Sequence, residues 1–286
     1  MRVTDSMVRA NALRGLNANA TSLAAIQEQV STTKRLNRPS DDPAQVRQAV
    51  KLHDGIAELE QFTRNIDAGT RTLSASDTAM ASAGDTIQRA HELAVEGANG
   101  TLTDANRQDM ALEVGQLRDQ LTQLAGTKVG DSYIFSGFKS DVPPDLSAGS
   151  LDTGAVMARI APGTTVQVNV LGKDVFGPAL AALNTMYTEL TTPGTPVSGG
   201  TLTALDTSQQ ALLAGRATVG AVQNRLDATT DYLGQGIIAA KSLLSQIEDV
   251  DMTQAISQLS ERQFTYQASL KVNASLLQLS LIDLLR

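Results

Sequence analysis

The stretch "LHDGIAELEQFTRNIDAGTRTLSASDTAMASAGDTIQRAHELA", residues 52–94, carries Leu52, Leu59, Ile66, Leu73, Met80, Ile87 and Ala94 at a strict interval of seven. Apolar side chains at this interval form one stripe along a helix that winds gently around partner helices. Unbroken, such a helix would run about 60 Å at its usual rise per residue, a rod rather than a globule. The companion positions include Thr63, Thr70, Asp77 and Gly84. That seam is too polar for a plain two-stranded zipper, so the stripe is expected to pack in a bundle with other helices of the same chain.

Proline maps the rest. The eight prolines stand at 39, 43, 143, 144, 162, 178, 193 and 196, leaving 1–38, 44–142 and 197–286 free of the strongest helix breaker. "GANGTLTD" (97–104) reads as a turn, after which Thr103 or Asp104 caps a helix bearing Met110, Val114, Leu117, Leu121 and Leu124 on one face. That helix should fold back antiparallel on its predecessor. From "YIFSGF" (133–138) to about residue 177 the pattern changes. "TTVQVNV" (164–170) alternates as a half-buried strand does, "LGKD" reads as a hairpin turn, and "TTPGTPVSGGT" (191–201) is a loop.

Both ends return to helical spacing. Met252, Ile256, Leu259, Gln263, Tyr266, Leu270, Asn273, Leu277, Ser280 and Leu284 alternate steps of four and three, as do Leu16, Ala20, Leu23, Gln27 and Val30. These two amphipathic ends are expected to pair. Each seam is polar enough to leave an isolated helix marginal, so they are expected to be loose in the monomer and to order in an assembly. The expected fold is therefore mainly α: a long antiparallel helical bundle or coiled coil built from both termini, with a small inserted β-rich domain. Its parts would be an N-terminal assembly helix (1–38), two halves of a helical rod (39–135 and 179–247), a β-rich insertion (136–178) and a C-terminal assembly helix (248–286).

Composition narrows the chemistry. Cysteine is absent, which removes disulfides, thiolate catalysis and Cys-ligated metals. Two histidines, His53 and His91, exclude a multi-histidine metal site. Aromatics are only 3 % of residues, as suits an aliphatic helical assembly better than a compact enzyme core. The net charge is -7, and the six basic residues of the first 38 are scattered with no aromatic for base stacking, so nucleic acid is not an expected partner. No run of eighteen apolar residues spans a membrane. The N-terminus lacks the apolar core of a secretory signal, so the chain is expected to be cytoplasmic or exported without cleavage.

"RPSDDPAQ" (38–45) poses the sharpest chemical question, because Asp41 and Asp42 are adjacent carboxylates. As N-cap, Asp42 would place Pro43 at the first helical position and Gln45 where it closes a capping box, while Asp41 adds charge at the positive end of the helix dipole. Acid–base catalysis would want a partner histidine or a cleft, and nothing in the sequence supplies one. Pro39, Ser40, Asp41, Asp42 and Pro43 thus read as a helix-cap motif. No HExxH, P-loop, dinucleotide fingerprint or G-x-S-x-G elbow is present. No catalytic, metal or cofactor-binding residue is expected, and in the β region only Arg159, Lys173 and Asp174 would be polar candidates for an enzymatic alternative.

"RLNRPSDDPAQVRQAV" (35–50), "IQRAHELAVEGANGTLTDANRQDMALEV" (87–114), "YIFSGFKS" (133–140) and the ending "LLQLSLIDLLR" resemble the flagellin superfamily of bacterial flagella. Within it, Pro39–Pro43 and Phe135-Ser136-Gly137 are most like the branch that joins hook to filament; flagellin itself, the filament subunit, is the alternative. The resemblance implies terminal helices lining a hollow tube, long helices outside them and an outward β region. It implies a structural junction subunit that templates flagellin polymerisation and lies outside the cell, exported by the flagellum's own apparatus without a cleaved signal. Its implied partners are further copies of itself in a ring, a neighbouring hook-associated junction protein, flagellin, and a cytosolic export chaperone on the C-terminal region. The assembly interface would be Leu16, Leu23 and Val30 with Leu259, Leu270, Leu277 and Leu284. "QRAHELAVEGAN" is also similar to the surface that innate immune receptors read on flagellins, with Arg89 and Leu93 in the matching places. Relatives commonly carry glycine within the stretch occupied by Ser31-Thr32-Thr33-Lys34-Arg35; with Thr33 there, the first helix is expected to run further.

Overall fold

The computed structural model describes residues 5–146 and 154–284. The described elements are α1 (Asp5–Thr32), α2 (Pro43–Gly97), α3 (Asp104–Ala125), β1 (Lys128–Val129), β2 (Ser132–Tyr133), β3 (Met157–Ala161), β4 (Thr164–Gln167), α4 (Gly172–Val175), α5 (Gly177–Thr191), α6 (Gly199–Glu248) and α7 (Met252–Leu284). The fold is mainly α, with two small antiparallel hairpins. The chain divides into two compact units, one of residues 58–236 and one of residues 1–57 with 237–286.

In the unit 58–236 the seven-residue stripe of α2 becomes the core. Ile66, Leu73, Met80, Ile87 and Ala94 are buried, and Leu59 is half-buried at the start. A matching stripe lies on α6, where Leu205, Leu212, Val219, Leu226 and Leu233 stand at the same interval of seven, each no more than 1 % exposed. The two helices run antiparallel. His91 meets Asp206 at 3.3 Å and Asp77 meets Arg216 at 2.8 Å, while Gly215 lies under Met80 and Gly236 beside Leu59. Burying a leucine fully contributes about 1.5–3 kcal/mol, so these two stripes dominate over the exposed ion pairs, worth about 1 kcal/mol or less each.

Helix α3 folds back on α2 as its capping signals predict. Thr103 is the N-cap, its side chain accepting the Asn106 N–H, and Arg89 reaches across to Glu113 at 2.8 Å. Val114 and Leu121 are fully buried, and α5 packs along α3, with Arg118 over the Tyr187 ring. Gly97 lets this end close: a Cβ there would stand 2.7 Å from Val197 and 3.2 Å from Leu190.

The β region differs in detail from its sequence reading. Its hairpin is β3–β4, turned at Pro162-Gly163 with Gly163 at φ 70°, while "LGKD" contributes to the short helix α4. Pro162-Gly163 is itself strong turn chemistry, and the reading of "LGKD" as the turn overlooked it. The small pair β1–β2 lies at 128–133, ahead of the boundary placed at 136. "YIFSGF" then dives inward: Phe135 is buried edge-on against Phe176 at 4.9 Å, and Ser136 donates to the Val142 carbonyl. Gly137, at φ 63°, turns Phe138 out to 76 % exposure. Buried Asn169 ties the strands together, accepting from Val156 N–H and donating to the Gly154 carbonyl, each at 2.8 Å.

Candidate assembly interface

The second unit, residues 1–57 with 237–286, is where the expected interface residues fall. Here α1 and α7 pack antiparallel: Asn19 donates to Ser269 Oγ at 2.7 Å, and Thr33 accepts the Val250 N–H at 3.1 Å. On α1 the covered positions include Ala12, Leu16, Asn19, Ala20, Leu23, Ile26 and Val30, all half-buried except Ile26, which is buried. On α7 the covered positions include Ala255, Leu259, Tyr266, Ser269 and Asn273. Leu16, Leu23, Val30 and Leu259 therefore lie in the seam between these helices. The sequence spacing was off by one residue at one turn of α1 and at the start of α7. It chose Gln27 over Ile26 and Ile256 over Ala255, and both chosen residues are exposed. A three–four alternation accepts either step at each turn, and the signal for Ile26 was its apolarity beside a glutamine.

That shift decides what α7 offers outward. Leu270 is 43 % exposed, and Ile256, Phe264 and Val272 are exposed with it. The side chains of Leu277 and Leu284 lie outside the described residues. The two units differ sharply in this respect. Among the described residues, this unit holds of the buried apolar side chains only Ile26, Ala49, Ile56, Ile247 and Ala255, yet it carries most of the exposed large ones, Met7, Leu13, Val50, Ile238, Leu243 and Met252 among them.

The helix-cap motif builds the elbow between α1 and α2. Asp42 Oδ1 accepts the Ala44 and Gln45 N–H groups, both at 3.0 Å, and Asp41 Oδ2 accepts those of Asn37 and Arg38 at 3.1 and 2.8 Å. Gln45 does not return to the cap as a capping box would; its amide oxygen accepts from Arg35. Both carboxylates are thus occupied by backbone. Helix α1 stops at Thr32, contrary to the expected extension, because Thr33 takes φ 58°, the left-handed value usually given to glycine.

Opposite this elbow lies the one between α6 and α7, where Asp251 caps α7 by accepting the Thr253 N–H at 2.9 Å. The two elbows are clasped. Arg35 N–H donates to the Glu248 carbonyl, Lys34 pairs with Asp249 in a β-bridge, and Arg35 also donates from its guanidinium to the Ile247 carbonyl at 2.7 Å. The Glu248 carboxylate, 12 % exposed, takes Lys34 on one oxygen and His53 Nε2 on the other, both at 2.8 Å. Burial pushes this carboxyl up, but the hydrogen bonds from Lys34 and His53 outweigh it and hold it below the ordinary glutamate range. Elsewhere Arg159 lies 3.6 Å from Glu58, with Asn65 donating to its carbonyl, so it is tied to α2 rather than to a polar cluster; Asp174 sits in α4 with Lys173. Among the described residues no group of three or more acids and histidines is placed to hold a metal, and no helix is long and apolar enough to cross a membrane.

The flagellar hook-associated protein 3 of Salmonella typhimurium is 28 % identical over 318 aligned positions covering 100 % of both chains. A flagellin of Listeria innocua is 24 % identical over 277 positions, covering 95 % of this chain and 94 % of its own. The crystal structure of flagellar hook-associated protein 3 from Legionella pneumophila superposes with a TM-score of 0.62 at 15 % identity, covering 68 % of this chain and 98 % of that one. The bacterial flagellin N-terminal helical region matches residues 3–140, and the C-terminal helical region matches 202–285. Those two matches take in both clasped elbows and both buried stripes, and by them the chain belongs to the bacterial flagellin family.

Proposed function

We propose that the chain is the junction subunit between flagellar hook and filament, a structural protein that templates flagellin polymerisation. The observation that carries this reading is the end-to-end likeness to hook-associated protein 3, which spans the whole of both chains, where the likeness to a flagellin is lower. The exposed apolar face of the terminal unit supports it, because a subunit whose α1–α7 pair leaves Ile256, Phe264 and Leu270 uncovered gains burial only from neighbours. Those neighbours are further copies in a ring, a hook-associated junction protein on one side and flagellin on the other. The terminal helices complete their packing, and their order, in that assembly. A cytosolic export chaperone shields α7 until the chain leaves the cell, and the protein works in the extracellular flagellum. It needs no cofactor and performs no catalysis.

Electron microscopy of a strain lacking the gene, with an immunoblot of its medium for flagellin, tests the reading. Bare hooks with flagellin released into the medium are expected, because filament subunits are made and exported but find no template. Bare hooks without flagellin would make this chain the filament subunit, and normal filaments would overturn both.

A further inference from the structure

The turn between α2 and α3 holds an Asn99-Gly100 pair whose surroundings favour a covalent change. Both residues are exposed, and a Cβ added to Gly100 would meet nothing within 4 Å. The Asn99 amide oxygen accepts two hydrogen bonds from one neighbour, the Thr101 N–H at 3.2 Å and the Thr101 hydroxyl at 2.9 Å. Two donors on a carbonyl oxygen draw electron density from its carbon and stabilise the oxyanion that forms when a nucleophile adds. The backbone fixes this geometry, since Asn99 N–H donates to the Glu96 carbonyl at 3.0 Å and the Asn99 carbonyl accepts the Leu102 N–H at 3.4 Å. Among the described hydrogen bonds none uses the Gly100 N–H, which leaves that nitrogen free to act as the nucleophile.

We infer that Asn99 is a self-modification site, converted to aspartate and isoaspartate by attack of the Gly100 backbone nitrogen, with Thr101 acting as its oxyanion donor. Solvent hydroxide removes the Gly100 amide proton, and the nitrogen bonds to Asn99 Cγ. The tetrahedral oxyanion rests on the two Thr101 donors. Its collapse expels the side-chain nitrogen, which leaves with a solvent proton as ammonia, and closes a five-membered imide. Water then opens the imide at either carbonyl. Opening at the backbone carbonyl routes the chain through the side chain as isoaspartate; opening at the other leaves ordinary aspartate. No oxidant or reductant is involved. Each chain gains one negative charge at a turn that already presents Asp104 in the first turn of α3. Ordinary aspartate keeps the acceptor for Thr101, whereas isoaspartate lengthens the main chain just ahead of the Thr103 cap.

The test is peptide mass mapping of the full chain incubated in mildly alkaline, ammonium-free buffer, folded and in urea, with isoaspartate scored by methyltransferase labelling. Wild-type Asn99 should convert faster folded than unfolded. Thr101→Val keeps the N–H and the shape but removes the hydroxyl; it should slow the folded reaction about tenfold, the rate equivalent of one transition-state hydrogen bond, and leave the rate in urea unchanged. Gly100→Ala, which the open turn accommodates, should slow both severalfold by crowding the attacking nitrogen. Equal folded rates for wild type and Thr101→Val, a folded rate no higher than the unfolded one, or an Asn99 that stays intact would each overturn the assignment.

Discussion

Lys34 Nζ and Glu248 Oε2 lie 2.8 Å apart although 214 residues separate them, and His53 holds the other carboxylate oxygen at 2.8 Å. This nearly buried carboxylate joins three segments: the elbow after α1, the third turn of α2 and the end of α6. Glu248→Gln keeps the shape but removes the charge that both donors face. The expected loss is about 1–3 kcal/mol of local stability, as for other hydrogen bonds to charged groups. The Arg35 and Val250 amides, which bond across the elbows, should therefore exchange hydrogen about tenfold faster or more, while amides near Leu212 stay protected. The folded carboxyl is held below its unfolded value, so its contribution is complete above the ordinary glutamate range and is lost as pH falls through the lower folded value. Elbow exchange corrected for its intrinsic pH dependence should thus rise in the wild type as pH falls below the ordinary glutamate range, and the variant should lack that inflection.

Thr33 stores strain beside the same clasp. A non-glycine residue in the left-handed region costs about 1–2 kcal/mol, and a β-branched one sits at the upper end. Thr33→Gly removes that cost but loses about 0.5–1 kcal/mol to the greater freedom of the unfolded chain, leaving a net gain of up to about 1.5 kcal/mol. The Val250 amide, which donates to the Thr33 carbonyl, should become better protected in the glycine variant. Thr33→Pro, fixed near φ −65°, cannot adopt 58° and should open the elbow. Unchanged protection in both variants would remove the strain argument.

The α2 stripe was legible because seven apolar residues at one interval exclude other periods, and the Thr103 cap because its residue type has few alternative uses. The equal stripe on α6 stood in the sequence at Leu205, Leu212, Val219, Leu226 and Leu233, but Gly199-Gly200, Gly215 and Gly220 lower helix propensity around it and hide the pattern. The α1–α7 seam was read one residue off at Gln27 and Ile256, since polar residues such as Asn19 and Ser269 line it and apolarity no longer ranks the positions. The elbow clasp was not legible at all. Lys34, His53 and Glu248 carry no local motif, and only the fold brings them together.

Two glycines should respond to alanine with opposite signs. At Gly97 a Cβ would meet Val197 at 2.7 Å and Leu190 at 3.2 Å, and valine has no long flexible end to yield. Gly97→Ala should cost about 1–3 kcal/mol by overpacking. Gly220 lies inside α6 with nothing within 4 Å of the added carbon, so Gly220→Ala should gain about 0.5–1 kcal/mol from helix propensity. Urea midpoints of the two variants, at unchanged slope, check both signs.

The contrast between the two units predicts that stability and assembly can be separated by single substitutions. Leu226 is fully buried in the α6 stripe, so Leu226→Ala should cost about 2–5 kcal/mol and shift the urea midpoint strongly. Phe264 on α7 is 74 % exposed, and phenylalanine and serine have similar helix propensities. Phe264→Ser should therefore change monomer stability by no more than about 0.5 kcal/mol. If a neighbouring chain covers that ring, each subunit contact loses about 1.5–3 kcal/mol of apolar burial, enough to weaken it tenfold to a hundredfold. A strain carrying only Phe264→Ser should then make the protein at normal levels yet bear few filaments. One carrying Gly220→Ala, also on the helical surface but without apolar loss, should swim normally. Normal filaments on the Phe264→Ser strain would mean that this face stays uncovered in the assembly, and the exposed residues of α7 would need another occupant.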